Sequence, residues 1–215
     1  MTFAAYPVVA FDLDGTLLRG TSVSVLLARW LGRASEISEL ERAFGAGEIS
    51  NSIVADTQAE WLAGRTTADA WRVLEKGPWI GGMAETLQTL SCSRVELLLA
   101  TITWSFAAEM LRERHGFAAV SGTQMQETDG VLSGTVARHF DEYDKARFVE
   151  SWCAQNGYSM DQVAAIGDSR SDVPLFHRAG MSIALNGTPD ARRTAMRSLD
   201  TDDLREVLTL LRGDS

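Results

Sequence analysis

From Gly81 to the end of the chain, helical patterns alternate with short apolar runs, and this alternation constrains the fold more than any other feature. Met83 to Leu90 has helical spacing, Val95 to Ala100 reads as a buried strand, Phe106 to His115 as a helix and Ala118 to Gly122 as extended chain. Asp144 to Asn156 is an amphipathic helix, Val163 to Ile166 a buried strand, Val173 to Ala179 a helix, Met181 to Leu185 the last strand, and Asp202 to Leu211 a closing helix. Alternation of this kind argues for an α/β fold, a parallel sheet covered by helices. One segment departs from it: Gln124 to Val136 alternates apolar and polar residues around Asp129-Gly130, a hairpin turn signal.

An earlier apolar run, Val8-Val9-Ala10-Phe11, ends in Asp12-Leu13-Asp14-Gly15-Thr16. Two like charges one residue apart are costly unless something compensates, and a divalent cation would do so. One aspartate could then stay ionised as a nucleophile while the other exchanges a proton with a leaving group. The plainer alternative is a pair of solvated turn-formers beside Gly15. No strand pattern appears between Leu17 and Trp79. Val23 to Gly32, Ser35 to Phe44, Ser50 to Leu62 and Thr67 to Glu75 are helical in spacing, with Ser35, Ser50 and Thr67 as N-caps. Gly45, Gly47, Gly64 and Gly77-Pro78 punctuate them. The expected division is a core of residues 1–16 and 80–215 with an all-helical insertion at 17–79.

With 215 residues the chain can bury a good core, and its 45% hydrophobic and 23% charged content is that of a soluble protein. No run is long enough to span a membrane and no leader pattern opens the chain, so a cytoplasmic location is expected. Cys92 and Cys153 stand far apart, which argues against a zinc cluster, and both read as reduced. A net charge of -9 disfavours nucleic acid as a partner. It leaves room for a small phosphorylated metabolite held locally by a metal and one lysine.

Open parallel sheets bind ligands beyond the carboxyl ends of their strands. Asp12 and Asp14 follow the first strand, Thr101 follows Val95 to Ala100, and Gly167-Asp168 follow Val163 to Ile166, so three strands deliver polar groups to one edge. In Gly167-Asp168-Ser169-Arg170-Ser171-Asp172, Asp168 suits a metal ligand and Asp172 a supporting carboxylate, or the segment simply caps a helix. Thr101 can offer a hydroxyl to phosphate, whereas Thr103 or Ser105 is better placed to cap the next helix. Lys145 stands at a helix start, where the macrodipole does not favour a cation, so it is either solvated or turned inward to neutralise an anion.

Asp12-Leu13-Asp14-Gly15-Thr16, a threonine after the second strand, a lysine and Gly-Asp-x-x-x-Asp, in that order, resemble the haloacid dehalogenase superfamily of phosphohydrolases. Within it the chain is similar to the phosphoserine phosphatase branch, whose helical cap follows the first motif. Asp129-Gly130-Val131-Leu132-Ser133-Gly134 matches that branch's hairpin, and Ala179-Gly180 through Asn186 its last strand. The resemblance implies a Rossmann-like open sheet with an inserted helical cap. It also implies that Asp12 attacks phosphorus to form an aspartyl-phosphate, and that Asp14 protonates the leaving oxygen and later activates water. Mg2+ would be held by Asp12, the main-chain carbonyl of Asp14 and Asp168, with Asp172 supporting it from behind. Thr101, Lys145 and Gly15 would bind the phosphoryl group. Asp14 itself argues against dehalogenation, because the superfamily's dehalogenases lack this second aspartate.

Several positions depart from the branch. Thr21 stands where a glutamate reads the substrate amine, and Gln58 where an arginine reads its carboxylate. Asn51 replaces an apolar residue, Ile102-Thr103 replaces Gly-Gly, and Ser171 replaces asparagine. The expected activity is therefore a Mg2+-dependent phosphatase for a small phosphomonoester other than phosphoserine. Phosphoserine phosphatase proper, a phosphotransferase or mutase, and a catalytically silent phospho-ligand binder are the alternatives. Trp30, Phe44, Trp61, Trp71 and Trp79 lie in or beside the insertion, where their spacing suits a core; the other reading is contact with a larger leaving group. His115, His139 and His177 show no ligand spacing.

Overall fold

Strand β1 (Val8–Phe11) is apolar at every position and fully buried, so it needs a partner strand on each side and helices on both faces. The computed structural model, which describes Phe3 and residues 5–212, supplies all of these. The outermost residues of the expected core unit, 1, 2, 4 and 213–215, lie outside the described residues. β1 pairs in parallel with β2 (Glu96–Leu99) and with β6 (Val163–Gly167). The six-stranded sheet has the order β3-β2-β1-β6-β7-β8, where β3 is Ala119–Val120, β7 Met181–Leu185 and β8 Arg197–Leu199. Strand order reverses at β1, so the crevice beyond its carboxyl end is the sheet's switch point.

Side chains alternate across the pleat and build two cores. Val9, Phe11, Leu97, Leu99, Ile166 and Ile183 pack with α5 (Met83–Cys92), α6 (Ser105–His115) and α10 (Val207–Leu211). Val8, Ala10, Leu98, Ala100 and Val163 face the other way, toward α7 (Glu142–Asn156), α8 (Val173–Phe176) and α9 (Pro189–Thr194). Strand β8 and helix α9 were not expected. The first has one apolar residue among three, while the second opens on Thr188 and Pro189, an N-cap signal readable in the sequence. The expected closing helix starts instead as a 3-10 turn at Leu204–Glu206, because Asp203 accepts from the Arg205 N–H.

Between β1 and α5 the chain is helical: α1 (Val23–Trp30), α2 (Ala34–Gly45), α3 (Asn51–Leu62) and α4 (Thr67–Leu74). Three expected caps are corrected, the first at α6, whose N-cap position is Trp104 with no side-chain bond rather than Thr103 or Ser105. Ser35 lies inside α2, whose N-cap position is Arg33 with no side-chain bond. Thr66, not Thr67, caps α4 by accepting from the Asp69 N–H. Ser50 occupies the N-cap of α3 without bonding an amide there.

The hairpin β4 (Gln124–Thr128) and β5 (Val131–Arg138) turns through Asp129 and Gly130, both at positive φ as a tight hairpin requires. It clasps the helical segment by backbone bonds: Gly64 N to Leu132 O at 2.8 Å, Leu132 N to Arg65 O at 2.8 Å and Thr67 N to Gly130 O at 2.9 Å. A Cβ on Gly134 would stand 2.7 Å from the Ala63 Cβ, so β5 and α3 approach where neither carries bulk. Trp71 and Trp79 are structural, their indole N–H groups going to the carbonyls of Phe106 and Leu74. Trp30 and Trp61 lie under the guanidinium groups of Arg65 and Arg33. No helix among the described residues is long and apolar enough to cross a membrane, and Cys92 and Cys153 are free thiols.

Candidate active site

Register decides what meets at the end of β1. Phe11 is level with Leu99 and Ile166, so Asp12 emerges beside Ala100-Thr101 and Gly167-Asp168. The Asp12 N–H donates to Ile166 O and the Ala100 N–H to Phe11 O, each at 2.8 Å, which fixes the three chain segments against one another.

Lys145 is wholly buried in the first turn of α7, set there by the Asp141–Asp144 capping box. Its ammonium donates to Asp12 Oδ1 at 2.6 Å, Asp172 Oδ1 at 2.8 Å and Ser171 Oγ at 3.0 Å. All three of its N–H groups are thereby engaged, two of them by carboxylates. Asp172 is equally committed: its other oxygen accepts from the Asp168 and Ser169 N–H groups, both at 3.0 Å. Gly167 makes this possible, since a Cβ there would lie 2.2 Å from the Asp172 carboxyl carbon.

Gly15 plays the matching part for Asp168. Its φ is +79°, and a Cβ would lie 2.2 Å from Asp168 Oδ2. Its N–H goes to Leu18 O at 2.8 Å, and its missing Cβ leaves room for the Asp168 carboxylate. Asp14 points elsewhere: its Oδ1 accepts from the Val23 N–H at 2.7 Å, at the start of α1. Thr101 is buried, and its oxygen accepts from the Thr103 N–H at 3.2 Å, which leaves the hydroxyl proton free to donate.

Crowding shows in the proton affinities. Burial and the neighbouring Asp172 push Asp12 up to about 7, although Lys145 pulls the other way. Burial, Asp12 and Asp172 push Asp168 up to about 9, and burial with Asp12 raises Asp14 well above the carboxylate range. Burial works against the charge on Lys145, yet Asp12 and Asp172 overcome it and raise its pKa. Asp12, Asp168 and Asp172 place carboxylate oxygens within 4.8 Å of one another, and Asp168 Oδ1 is buried with no hydrogen-bond partner among the described residues. An oxygen-rich cluster with an orphaned carboxylate oxygen fits a hard divalent cation. Asp12 and Asp168 are the available ligands, because both oxygens of Asp172 are taken.

A test follows from the sign of these shifts. With Asp12 and Asp168 protonated in the metal-free native state but ionised when unfolded, the native state binds more protons above about pH 4. Stability then falls as pH rises through about 7 toward about 9. The melting temperature of chelated protein is expected to drop by on the order of 5 °C between about pH 6 and pH 8, with Mg2+ restoring it most at the alkaline end. A Mg2+ effect independent of pH would remove this account of the cluster.

A cavity of about 450 Å3 opens onto Asp12, Asp14, Thr101 and Asp168. Glu41 and Arg170 are among the wall residues that the sequence alone does not single out. Glu41 reaches it from α2, one of several acids on that helix, and packing alone singles it out. Arg170 was an unremarked position within the Gly-Asp segment. It donates to Glu142 and to Phe44 O, at 3.2 and 2.9 Å, and lies 4.3 Å from the Phe44 ring centroid. Of the five aromatics considered, Phe44 is the one that lines the cavity. Asn51 bonds the carbonyls of Ile102 and Phe140, at 3.1 and 2.8 Å, tying α3 to the loop after β2. Gln58 is buried between Ser24 O and the Trp104 indole, with both ends of its amide used.

Residues 9–177 match the haloacid dehalogenase-like hydrolase family, and the chain belongs to it. Within that family its likeness is to phosphoserine phosphatases. It is 28% identical over 209 residues to one from Mycobacterium tuberculosis, covering 94% of this chain and 50% of that protein, so it spans half of that relative's length. It is 27% identical over 217 residues to one from Polaromonas sp., covering 96% of this chain and 90% of the relative. A substrate-bound phosphoserine phosphatase superposes with a TM-score of 0.83 at 20% identity, over 95% of this chain and 98% of the other. A HAD family hydrolase from Salmonella enterica serovar Typhi gives 0.89 at 17% identity, over 99% and 73%. At such identities the likeness is one of fold.

Proposed function

We propose that this chain is a Mg2+-dependent phosphomonoesterase acting through an aspartyl-phosphate on Asp12. The observation that carries the reading is the buried Lys145, which holds one carboxylate oxygen of Asp12 at 2.6 Å on the rim of a cavity shared with Asp14 and Thr101. Asp12 attacks phosphorus and the bond to the leaving oxygen breaks as that oxygen takes a proton from Asp14. A carboxyl whose pKa is raised by burial is suited to hold that proton near neutral pH. Asp14, then ionised, takes a proton from the water that hydrolyses the acyl phosphate. The Thr101 hydroxyl donates to a phosphoryl oxygen. Mg2+ on Asp12, Asp168 and the Asp14 carbonyl would offset negative charge on the transferring group. Residues 17–79 act as a cap over the site, with the remainder as the core.

The phosphoserine phosphatases among the relatives do not settle the substrate here. Gln58 offers no charge to a carboxylate and is not among the residues that line the cavity, so phosphoserine is expected to be a poor substrate. Phosphate release from a panel of phosphomonoesters, with and without Mg2+, tests the reading. Magnesium-dependent release is expected, with phosphoserine well below the best substrate. Absence of release from every ester in the presence of Mg2+ would sink it.

A further inference from the structure

Glu41 is a half-buried carboxylate on the cavity wall, contributed by α2. Among the described residues its hydrogen bond comes from Ser22 Oγ at 2.9 Å, and no cation pairs with it. Burial pushes its carboxyl up, and Ser22 alone opposes that. Arg170, the cation on the same wall among the described residues, gives its terminal nitrogens to Glu142 and the Phe44 carbonyl, while its Nε has no partner among them. Thr21, also on the wall, has a buried hydroxyl without a partner among the described residues. A desolvated carboxylate facing a ligand cavity without a counter-charge is unfavourable by itself and favours a cationic visitor.

We infer that Glu41 is the specificity-determining residue, and that the leaving group of the substrate carries an ammonium that pairs with it while the phosphate lies at Asp12. The inference rests on the phosphomonoesterase reading and adds the substrate class. Among the described residues that line the cavity the one cation is Arg170, whose charge is paired with Glu142. The substrate is thus an amino-substituted phosphomonoester without a carboxylate beside the amine.

The test compares O-phosphoethanolamine with its uncharged counterpart propyl phosphate and its anionic counterpart phosphoglycolate, on wild type and Glu41→Gln. Wild type is expected to favour the amine ester over propyl phosphate by roughly 10- to 100-fold in kcat/KM, the range of a charge-assisted hydrogen bond. Phosphoglycolate should fall below both. In Glu41→Gln the ratio of amine ester to propyl phosphate should approach unity, chiefly through a higher KM for the amine ester. A ratio near unity in wild type, or one unchanged in the variant, overturns the inference while leaving the phosphatase reading intact. Calorimetric titration of aminopropylphosphonate against propylphosphonate separates the converse case. If no ester turns over but the amine is preferred and Glu41→Gln abolishes the preference, the catalytic reading fails and the binding role of Glu41 stands.

Discussion

Asp12→Asn is expected to lower Mg2+-dependent hydrolysis of p-nitrophenyl phosphate by on the order of 1000-fold or more, while the protein stays folded. The amide is close to the carboxylate in shape, and its oxygen can still accept the Lys145 N–H that now meets Asp12 Oδ1. What it lacks is the negative charge needed to attack phosphorus. The substitution therefore separates chemistry from architecture, provided circular dichroism and melting confirm the fold. Activity equal to wild type would show that another group is the nucleophile, and Asp14 would then be examined first.

The second large effect concerns stability. Lys145→Met keeps most of the side-chain volume in α7 but leaves Asp12 and Asp172 facing each other without their shared cation. Removing one partner from a buried ion-pair network typically costs about 3–5 kcal/mol. Asp12 can escape part of that cost by taking up a proton, which raises its folded-state pKa further above that of the unfolded chain. Groups raised in this sense lose stability as pH rises, so the deficit of the variant should be larger at about pH 8 than at about pH 6. Urea unfolding of wild type and variant at both values measures it. Equal stability at the higher pH would mean that Lys145 does not neutralise the pair, and the geometry of the site would need another explanation.

Much of this arrangement can be read from the chain because the chemistry leaves marks in short segments. Gly15 and Gly167 sit where a Cβ would collide with Asp168 and Asp172, so glycine and acid appear together in the sequence for a steric reason. The apolar run of β1 likewise announces a strand covered on both faces. Other features depend on packing between distant segments. Glu41 shares α2 with Glu36 and Glu39, and nothing local distinguishes the acid that meets the cavity. An inward Lys145 was foreseeable from its odd place at a helix start, but not that three acceptors would exhaust its donors. Edge strand β8 has too little apolar content to declare itself, because an edge strand with one partner needs less burial. The choice of Thr66 over Thr67 as a cap depends on which backbone turns extended first, one residue's difference in φ and ψ.

The grip of the hairpin on residues 64–67 has a practical consequence for anyone wishing to exchange specificity between relatives. Three backbone hydrogen bonds and the Gly134–Ala63 contact join the hairpin to the helical segment, although more than 60 residues of sequence separate the partners. The transplantable unit is accordingly discontinuous: residues 17–79 and 124–138 travel together. A graft of the first piece alone would pair a foreign α3 with the resident hairpin, and the small-to-small fit at Gly134 would have to be met by chance.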